Sequence, residues 1–360
     1  MLRVAVILLA VTMSAFMASP TIATFLRNDI VGVDYFVIAE GLRGTLTEAY
    51  SVTDPPFAYP PTAKLFLWPM ALLPTTIGYA LFTAATAALL LCASRRHLAR
   101  SELALILLSF PFLNAALCGQ TTFLVAALML LGLTTKDRRV AGVILAIGAA
   151  IKPQLFLFVP LYVLVNRDWD AVRWGAASML GIVIVSIGMF GIEPWVQFPA
   201  ALANYGNVII QNGVIRWVIA PIGMAMREGW PMWPVAIPCA LGALALPFLR
   251  YCDPIEALFG LTLAALLVLP FAIPYEAVGL VPLLVRRICR GKLVEVLAYS
   301  FFWPGIALLA SLRTATAIAF KAYGVRLLDY FYREPRDVGF NVHRSIHVFD
   351  SDMDVEKVAR

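Results

Sequence analysis

The sequence has little charge. Only 14% of its 360 residues are Asp, Glu, Lys or Arg, whereas 61% are hydrophobic. Soluble domains carry about 25% charged residues, so this shortage excludes an ordinary soluble domain. The mean hydropathy of +0.84 points the same way. The composition therefore predicts an integral membrane protein.

The sequence also lacks the motifs of several common kinds of site. It contains three histidines, His97, His343 and His347, and none of its five cysteines forms a C-x-x-C pair. No group of His, Cys and Asp has the spacing of a metal site, and there is no P-loop and no G-x-G-x-x-G. We therefore predict no metal and no cofactor. No internal repeat is visible.

The net charge of +6 does not indicate nucleic-acid binding, because the cations lie in short clusters between apolar segments. One set of clusters falls at residues 95–100, 136–139, 166–173 and 286–292. The alternate polar segments, at 27–62, 119–120, 152–153, 192–230 and 273–276, hold few cations and many carboxylates. The positive-inside rule places the first set in the cytoplasm and the second outside.

These segments predict an all-α transmembrane bundle of about eleven helices, between ten and twelve, with long outer loops at 27–62 and 192–230. The amino terminus resembles a signal peptide, but its apolar run of about 23 residues is long enough to span a bilayer. We therefore expect a retained first helix. Residues 1–312 form the predicted transmembrane domain, and residues 313–360 an interfacial helix or last span followed by a disordered polar tail.

The first outer loop holds the densest run of carboxylates in the chain. The spacing of Asp34, Ile38 and Leu42 places Asp34 near the start of a short helix, where the helix dipole stabilises an ionised carboxylate. The simple interpretation is that Asp34 caps this helix. Pro55, Pro56, Pro60 and Pro61 stiffen the return to the membrane, as the loop of a functional site requires.

Few other polar groups lie at the predicted outer ends of the helices. They are Gln120, Lys152, Arg216, Tyr275 and Glu276. Each has a simple interpretation on its own, such as a snorkelling lysine or a pair between Lys152 and Glu276. Together they bring a cation, an amide and carboxylates to one face of the membrane, which suits a ligand with a phosphate head and a lipid tail.

Several motifs resemble a known family when they are read in order. They are DYF at 34–36, FAYPP at 57–61, PMALLP at 69–74, NAALCGQTTFL at 114–124, AGVILAIGAAIKPQ at 141–154, FGIEPWVQF at 190–198 and IPYEAVGLVPLL at 273–284. The chain resembles glycosyltransferase family 87, whose members are polyprenol-phosphate-mannose-dependent α-mannosyltransferases of the multispanning GT-C class. The resemblance runs from about Asp34 to Leu284.

The resemblance implies an inverting transfer of a sugar, by family default mannose, from a polyprenyl phosphate to a lipid or glycan acceptor. It places this reaction at the outer face of the plasma membrane. Asp34 matches the position of the family's catalytic base. Lys64 stands where an apolar residue is usual and so joins the phosphate-binding candidates. The predicted donor-binding residues are Lys152, Gln120, Arg216, Lys64 and Tyr59, and the predicted acceptor or site-lining residues are Tyr35, Glu40, Tyr275 and Glu276.

Two alternative functions remain open on the sequence alone. A transporter or lipid flippase would often show repeated halves and a site at the membrane midplane, whereas here the polar groups gather at one face. A polysaccharide polymerase or ligase of another multispanning class would favour paired outer arginines, and the arginines of this chain are scattered. Nucleic acid is not an expected partner; membrane lipids, the lipid-linked donor and a glycosylated acceptor are.

Overall fold

A computed structural model describes residues 2–51, 57–211, 215, 218–249, 251, 253–300, 307 and 309–319. All described residues belong to one compact unit. Within them the regular structure is helical, and no strand is present. The predicted all-α fold is therefore confirmed. The α-helices are α1 (Leu2–Arg27), α2 (Val33–Arg43), α3 (Leu46–Ser51), α4 (Pro61–Leu67), α5 (Thr75–Ser94), α6 (Arg100–Leu107), α7 (Phe110–Cys118), α8 (Thr122–Thr134), α9 (Arg138–Ile151), α10 (Val159–Val165), α11 (Trp169–Phe190), α12 (Glu193–Gln211), α13 (Pro221–Arg227), α14 (Trp233–Ala245), α15 (Pro254–Val268), α16 (Val281–Cys289) and α17 (Val294–Ser300).

Three helices of the described residues, α1, α5 and α11, are long and apolar enough to cross a membrane. Helices α6 and α7 would form a fourth span together, although they meet at an angle of 55°. The predicted count of about eleven spans is not confirmed. Several other apolar segments form helices of 10–17 residues, which is short of the roughly 20 that a bilayer requires.

Helix α1 has two different faces. Its buried residues recur every three or four positions and are mostly small: Val6, Ala10, Ser14, Ala18 and Thr21. The Ser14 hydroxyl donates a 2.6 Å hydrogen bond to the Leu108 carbonyl, where the chain breaks between α6 and α7. Large apolar side chains such as Leu8 and Phe16 are exposed on the other face. This helix therefore packs through small residues and presents an apolar surface to lipid.

The centre of the bundle is α15. Twelve of its fifteen residues are buried, and a helix that is apolar on every side belongs in a protein interior. It ends at Val268, and the chain then forms a 3₁₀ helix, Pro274–Leu280, that is buried along its whole length. A buried helix that ends inside the protein leaves room for polar groups beyond its last residue. The short apolar segments of the sequence predict helices of this kind.

The polar turns of the described chain separate into two groups, as the charge pattern predicts. Arg286 donates 2.8–2.9 Å hydrogen bonds to the His97 carbonyl and to Asp253, and Arg138 pairs separately with Asp168, so each contact joins turns within the predicted basic set or next to it. The turns predicted to lie outside gather around α2 instead. The two sets of turns are thus distinct in space, and their orientation relative to the cell remains a prediction.

The predicted boundary at residue 312 falls within a helical segment, residues 309–319. Most of the predicted tail, residues 320–360, lies outside the described residues. The predicted domain division and the interfacial helix therefore stay predictions.

Candidate active site

Asp34 lies in the first turn of α2 and is half-buried. The simple interpretation that it caps the helix is wrong. Gly32 occupies the cap position with a left-handed φ of 80°, and no side chain caps the helix. The Asp34 carboxylate instead accepts a 2.6 Å hydrogen bond from Nε2 of Gln120. Its orientation is therefore set by a distant part of the chain.

Gln120 reaches Asp34 because of the glycine before it. Gly119 ends α7 in the left-handed region, with φ 73°, which a side chain disfavours. A Cβ on Gly119 would also lie 2.6 Å from Cβ of Tyr35. A backbone hydrogen bond of 2.7 Å from Gly32 to the Leu117 carbonyl fixes the start of α2 against the end of α7. The tight turn thus delivers the Gln120 amide to the first turn of α2.

The other end of the Gln120 amide is also occupied. Its Oε1 accepts a 3.2 Å hydrogen bond from the Tyr59 hydroxyl, which lies 2.9 Å from Oγ1 of Thr121. Tyr59 stands just before α4, and the Thr62 hydroxyl binds the Ala150 carbonyl at 2.7 Å. This bond holds the start of α4 against the end of α9. With its oxygen bound to Tyr59, the Gln120 amide points its N–H group towards Asp34.

Lys152 and Glu276 form an ion pair beside this group. Their Nζ and Oε1 atoms are 2.8 Å apart, and the residues are 4% and 8% exposed. The lysine ammonium also lies 5.4 Å from the centre of the Tyr275 ring. Lys152 follows α9 directly because Pro153 starts a new helical turn. A buried charge is costly unless it is paired, so each of these two residues needs the other.

Asp34 lies outside the candidate membrane spans. Its surroundings shift the pKa of its carboxyl. Burial raises the pKa of the Asp34 carboxyl, since a charge is disfavoured away from water. The Gln120 hydrogen bond and the nearby Lys152 ammonium lower that pKa and partly offset burial, whereas the Glu276 carboxylate raises it. A carboxylate with a raised pKa accepts a proton more readily than an exposed one, as a general base must.

Three further residues lie at the site although the sequence did not predict them. The Cys118 thiol is within hydrogen-bonding reach of Asp34, and Thr121 binds Tyr59. The hydroxyl of Tyr205, on α12, is within hydrogen-bonding reach of Tyr275. The only sequence signals were that Cys118 and Thr121 flank the Gly119-Gln120 turn and that Tyr205 falls in a predicted outer loop.

The structure brings together Asp34, Tyr59, Gln120, Lys152, Tyr275 and Glu276. It does not bring Tyr35 to their polar groups: that side chain is fully buried, and its hydroxyl donates a 2.9 Å hydrogen bond to the Met70 carbonyl. Glu40 is exposed and pairs with Arg43 at 2.9 Å. Lys64 binds the Gly44 carbonyl and lies 5.7 Å from the Phe190 ring. Arg216 lies outside the described residues.

The described residues contain no group of three or more His, Cys, Asp or Glu side chains that could hold a metal ion. The cluster around Asp34 instead combines a half-buried carboxylate, a fixed amide, a buried ion pair and tyrosine hydroxyls. Such a set can accept a proton and can stabilise a nearby anion.

The chain matches the family model described as glycosyltransferase family 87 over residues 57–274. The match covers more than half of the sequence, and the chain belongs to glycosyltransferase family 87. Tyr59, Gln120 and Lys152 fall inside the matched range, while Asp34 and Glu276 fall outside it. No curated protein and no solved structure matches the chain.

Proposed function

We propose that this chain transfers a sugar, mannose by family default, from a polyprenyl-phosphate donor to an acceptor hydroxyl. The reaction takes place on the outer face of the plasma membrane and inverts the anomeric carbon. The observation that carries the proposal is the Asp34 carboxylate, held by Gln120 at 2.6 Å beside the Lys152–Glu276 pair, in a chain of glycosyltransferase family 87.

Asp34 is the general base of this mechanism. It accepts the proton of the acceptor hydroxyl while the hydroxyl oxygen forms a bond to the anomeric carbon. The bond from that carbon to the phosphate oxygen breaks at the same time, and its electron pair leaves with the polyprenyl phosphate. The Gln120 amide keeps the carboxylate oriented, and burial supplies the raised pKa that a proton acceptor needs.

The leaving phosphate gains negative charge as the bond breaks. Lys152 is the cation next to Asp34, and its charge acts strongly because the surroundings are partly dehydrated. Pairing with Glu276 keeps the ammonium in place before the donor binds. Gln120 and Tyr59 add hydrogen-bonding groups within the same cluster.

A groove at the end of α11 suits the lipid part of the donor. Its volume is about 490 Å³, and its lining combines the cations Arg43 and Lys64 with apolar side chains that include Trp68, Met189 and Phe190. Phe190 is the last residue of a candidate membrane span, so the groove opens at the level where lipid tails meet their headgroups. Lys64 therefore contacts the donor from this groove and not from the Asp34 cluster.

Transfer from a radiolabelled polyprenyl-phosphate sugar, measured with the full chain in lipid nanodiscs, tests the proposal. Asp34→Asn keeps the size of the side chain and a hydrogen bond to Gln120 but cannot accept a proton. We expect transfer to fall by about 10²- to 10⁴-fold, the usual contribution of a positioned base. Donor binding should remain close to that of the unaltered protein.

Asp29→Asn is the matched control. Asp29 is exposed five residues before Asp34, and its φ of 53° is one that asparagine adopts readily. This variant should retain normal transfer. Near-normal transfer by the Asp34→Asn protein would remove Asp34 from the mechanism, and no transfer by the unaltered protein with any labelled donor would contradict the proposed function.

A further inference from the structure

The Asp34 cluster contains more acidic than basic side chains. Among the described residues its two carboxyls, Asp34 and Glu276, face one cation, the Lys152 ammonium. The other titratable groups of the cluster are a thiol and three phenols, which are uncharged near neutral pH. They are Cys118, Tyr59, Tyr205 and Tyr275. With both carboxyls ionised, the cluster therefore carries one net negative charge.

The helices around Glu276 bring no further cation to it in the part of the chain that the structure describes. Glu276 lies on the 3₁₀ helix Pro274–Leu280, against which α7, α8, α15 and α16 pack. Helices α7 and α8 contain no charged residue. The charged residues of the other two lie in the first turn of α15 and the last turn of α16, and they are Glu256, Arg286 and Arg287. The two arginines bind Asp253 and Glu295. Lys152 is thus the cation that pairs with Glu276.

The ionised form of Glu276 depends on this pair. Nζ of Lys152 and Oε1 of Glu276 are 2.8 Å apart, and the two side chains are only 5% and 10% exposed. A carboxylate this deeply buried is costly without a counter-ion, and it becomes neutral by taking up a proton instead. Asp34 differs, because the 2.6 Å hydrogen bond from Gln120 favours its ionised form and does not involve Lys152. If the ammonium moved, Glu276 would be the carboxyl to take up a proton.

The donor phosphate competes with Glu276 for the same ammonium. A phosphodiester carries a negative charge, and its attraction to an ammonium is strong where water is scarce. If both carboxyls stayed ionised, the bound phosphate would be a third anion around one cation. The cost decreases when one carboxyl becomes neutral. The lysine side chain has a flexible four-carbon stem, so its ammonium can turn from the carboxylate to the phosphate.

We propose that the donor phosphate displaces Glu276 from Lys152 and that Glu276 then takes up one proton from water, so that the donor binds together with a proton. The inference rests on the proposed function and makes Glu276 a positioning residue for the donor, acting through Lys152. Asp34 stays ionised as the base, and Lys152 lies beside the leaving phosphate. The donor then binds more weakly as pH rises, because binding and proton uptake are linked.

Calorimetry with the full chain in nanodiscs counts the protons. The probe is farnesyl methyl phosphate, a phosphodiester that keeps one negative charge throughout the assay and assumes nothing about the sugar. Heats of binding in buffers of different ionisation enthalpy give the number of protons taken up. We expect about one proton per bound molecule, and a Kd that rises about tenfold per pH unit, where Glu276 is ionised only in the free protein. Farnesol, which has no phosphate, should bind without proton uptake.

Three variants identify the carboxyl that takes up the proton. Glu276→Gln should bind the phosphodiester without proton uptake and with a Kd that does not depend on pH, because Lys152 no longer has an ionised competitor. Glu276→Asp keeps a carboxyl and should restore proton uptake. Asp34→Asn should also keep it. Glu193→Gln is the matched control, because it removes an exposed carboxylate at the start of α12, and its proton uptake should be normal.

Binding of the phosphodiester to the unaltered protein without proton uptake would overturn the inference, because the ammonium would then bind the phosphate and an ionised Glu276 together. This measurement needs no variant, so it decides the matter even if Glu276→Gln does not fold. Proton uptake that is lost in Asp34→Asn and kept in Glu276→Gln would also overturn it.

The inference and the proposed reaction can fail separately. Normal sugar transfer without coupled proton uptake would count against the inference alone. Proton uptake by a chain that transfers no sugar from any labelled donor would count against the proposed reaction alone. The ionisation of Asp34 is measured apart from both, as kcat/KM for the acceptor at saturating donor.

Discussion

At the scale of single residues, opposing effects act on the pKa of the Asp34 carboxyl. Burial raises the pKa of its carboxyl, whereas the Gln120 hydrogen bond and the Lys152 charge lower it. A base that ionises too easily is a weak proton acceptor, and one that stays protonated is inactive. Gln120 therefore orients the carboxylate and lowers its pKa, and in the proposed mechanism it would set the pH at which Asp34 acts.

This balance predicts a pH dependence. The ionised carboxylate is the active form, so kcat/KM should increase as pH rises through the raised pKa of Asp34. Gln120→Met removes a hydrogen-bond donor that stabilises the ionised form, so the pKa should rise further. We expect the inflection of the pH–rate profile to move to higher pH and the variant to lose more activity in acid than at neutral pH. The profile of kcat/KM for both proteins measures this.

The control for this profile is Gln211→Met, which removes an exposed amide at the end of α12 and should leave the inflection where it is. A loss of activity in Gln120→Met that is equal at every pH would mean that Gln120 only supports the fold. An inflection that moved to lower pH would contradict the assigned role.

At the scale of structural elements, the turn between α7 and α8 requires a glycine for two reasons. Gly119 adopts a left-handed φ of 73°, and it has no space for a Cβ beside Tyr35 and Tyr79. Tyr35 is fixed in turn by its hydrogen bond to Met70, so it cannot move aside. The Gly-Gln motif that the sequence analysis noted has this physical basis: the glycine makes the turn, and the glutamine after it meets Asp34.

Gly119→Ala should therefore disturb both stability and transfer. The left-handed conformation costs an alanine about 1–2 kcal/mol, and the contacts with Tyr35 and Tyr79 add overpacking of about 1–3 kcal/mol. We expect a clear drop in Tm, and we expect transfer per folded molecule to fall because Gln120 shifts away from Asp34. Thermal unfolding in nanodiscs and the transfer assay measure the two effects.

Gly229→Ala separates the backbone cost from the packing cost. Gly229 has a similar φ of 67°, but among the described residues, its chain neighbours aside, no heavy atom lies within 4 Å of the place where its Cβ would be. This variant should lose about 1 kcal/mol of stability and keep its transfer activity. If the two alanine variants behaved alike, the tight contact at Gly119 would have no role.

At the scale of the whole molecule, the polar groups form separate sets of contacts. Asp34, Gln120, Lys152 and Glu276 converge in one cluster, whereas Arg286 and its partners meet elsewhere in the described structure. Family membership assigns the chain to the membrane glycosyltransferases. In the proposed reaction the donor is lipid-linked, and the Asp34 cluster must then face the compartment where the sugar is delivered.

Reporter fusions test this orientation. A reporter that is active only outside the membrane should work when fused after Ser51 or Gln211, which belong to predicted outer loops. The same reporter fused after Arg139 or Arg290 should be silent, because those residues belong to basic clusters that the positive-inside rule keeps in the cytoplasm. Activity in the reverse pattern would place the Asp34 cluster inside the cell and contradict the proposed site of the reaction.

The sequence by itself determined the class of protein, the helical fold and the helix ends at Gly119 and Pro153. These features depend on local sequence: apolar runs favour membrane helices, Gly119 adopts the left-handed conformation that ends α7, and Pro153 starts a new helical turn after α9. The polar candidates at the outer ends were also predictable, because so few polar residues exist in those segments. The family followed from motifs in their order along the chain.

Only the tertiary structure decided which of these residues meet. Asp34 and Gln120 are 86 positions apart, and the sequence does not say how far each helix is rotated about its own axis. The sequence therefore predicted Tyr35 to line the site beside Asp34, although its side chain packs against α5 and its hydroxyl binds the Met70 carbonyl instead. Tyr205 was missed for the same reason. Contacts between distant segments depend on the packing of the whole bundle, and no local pattern encodes them.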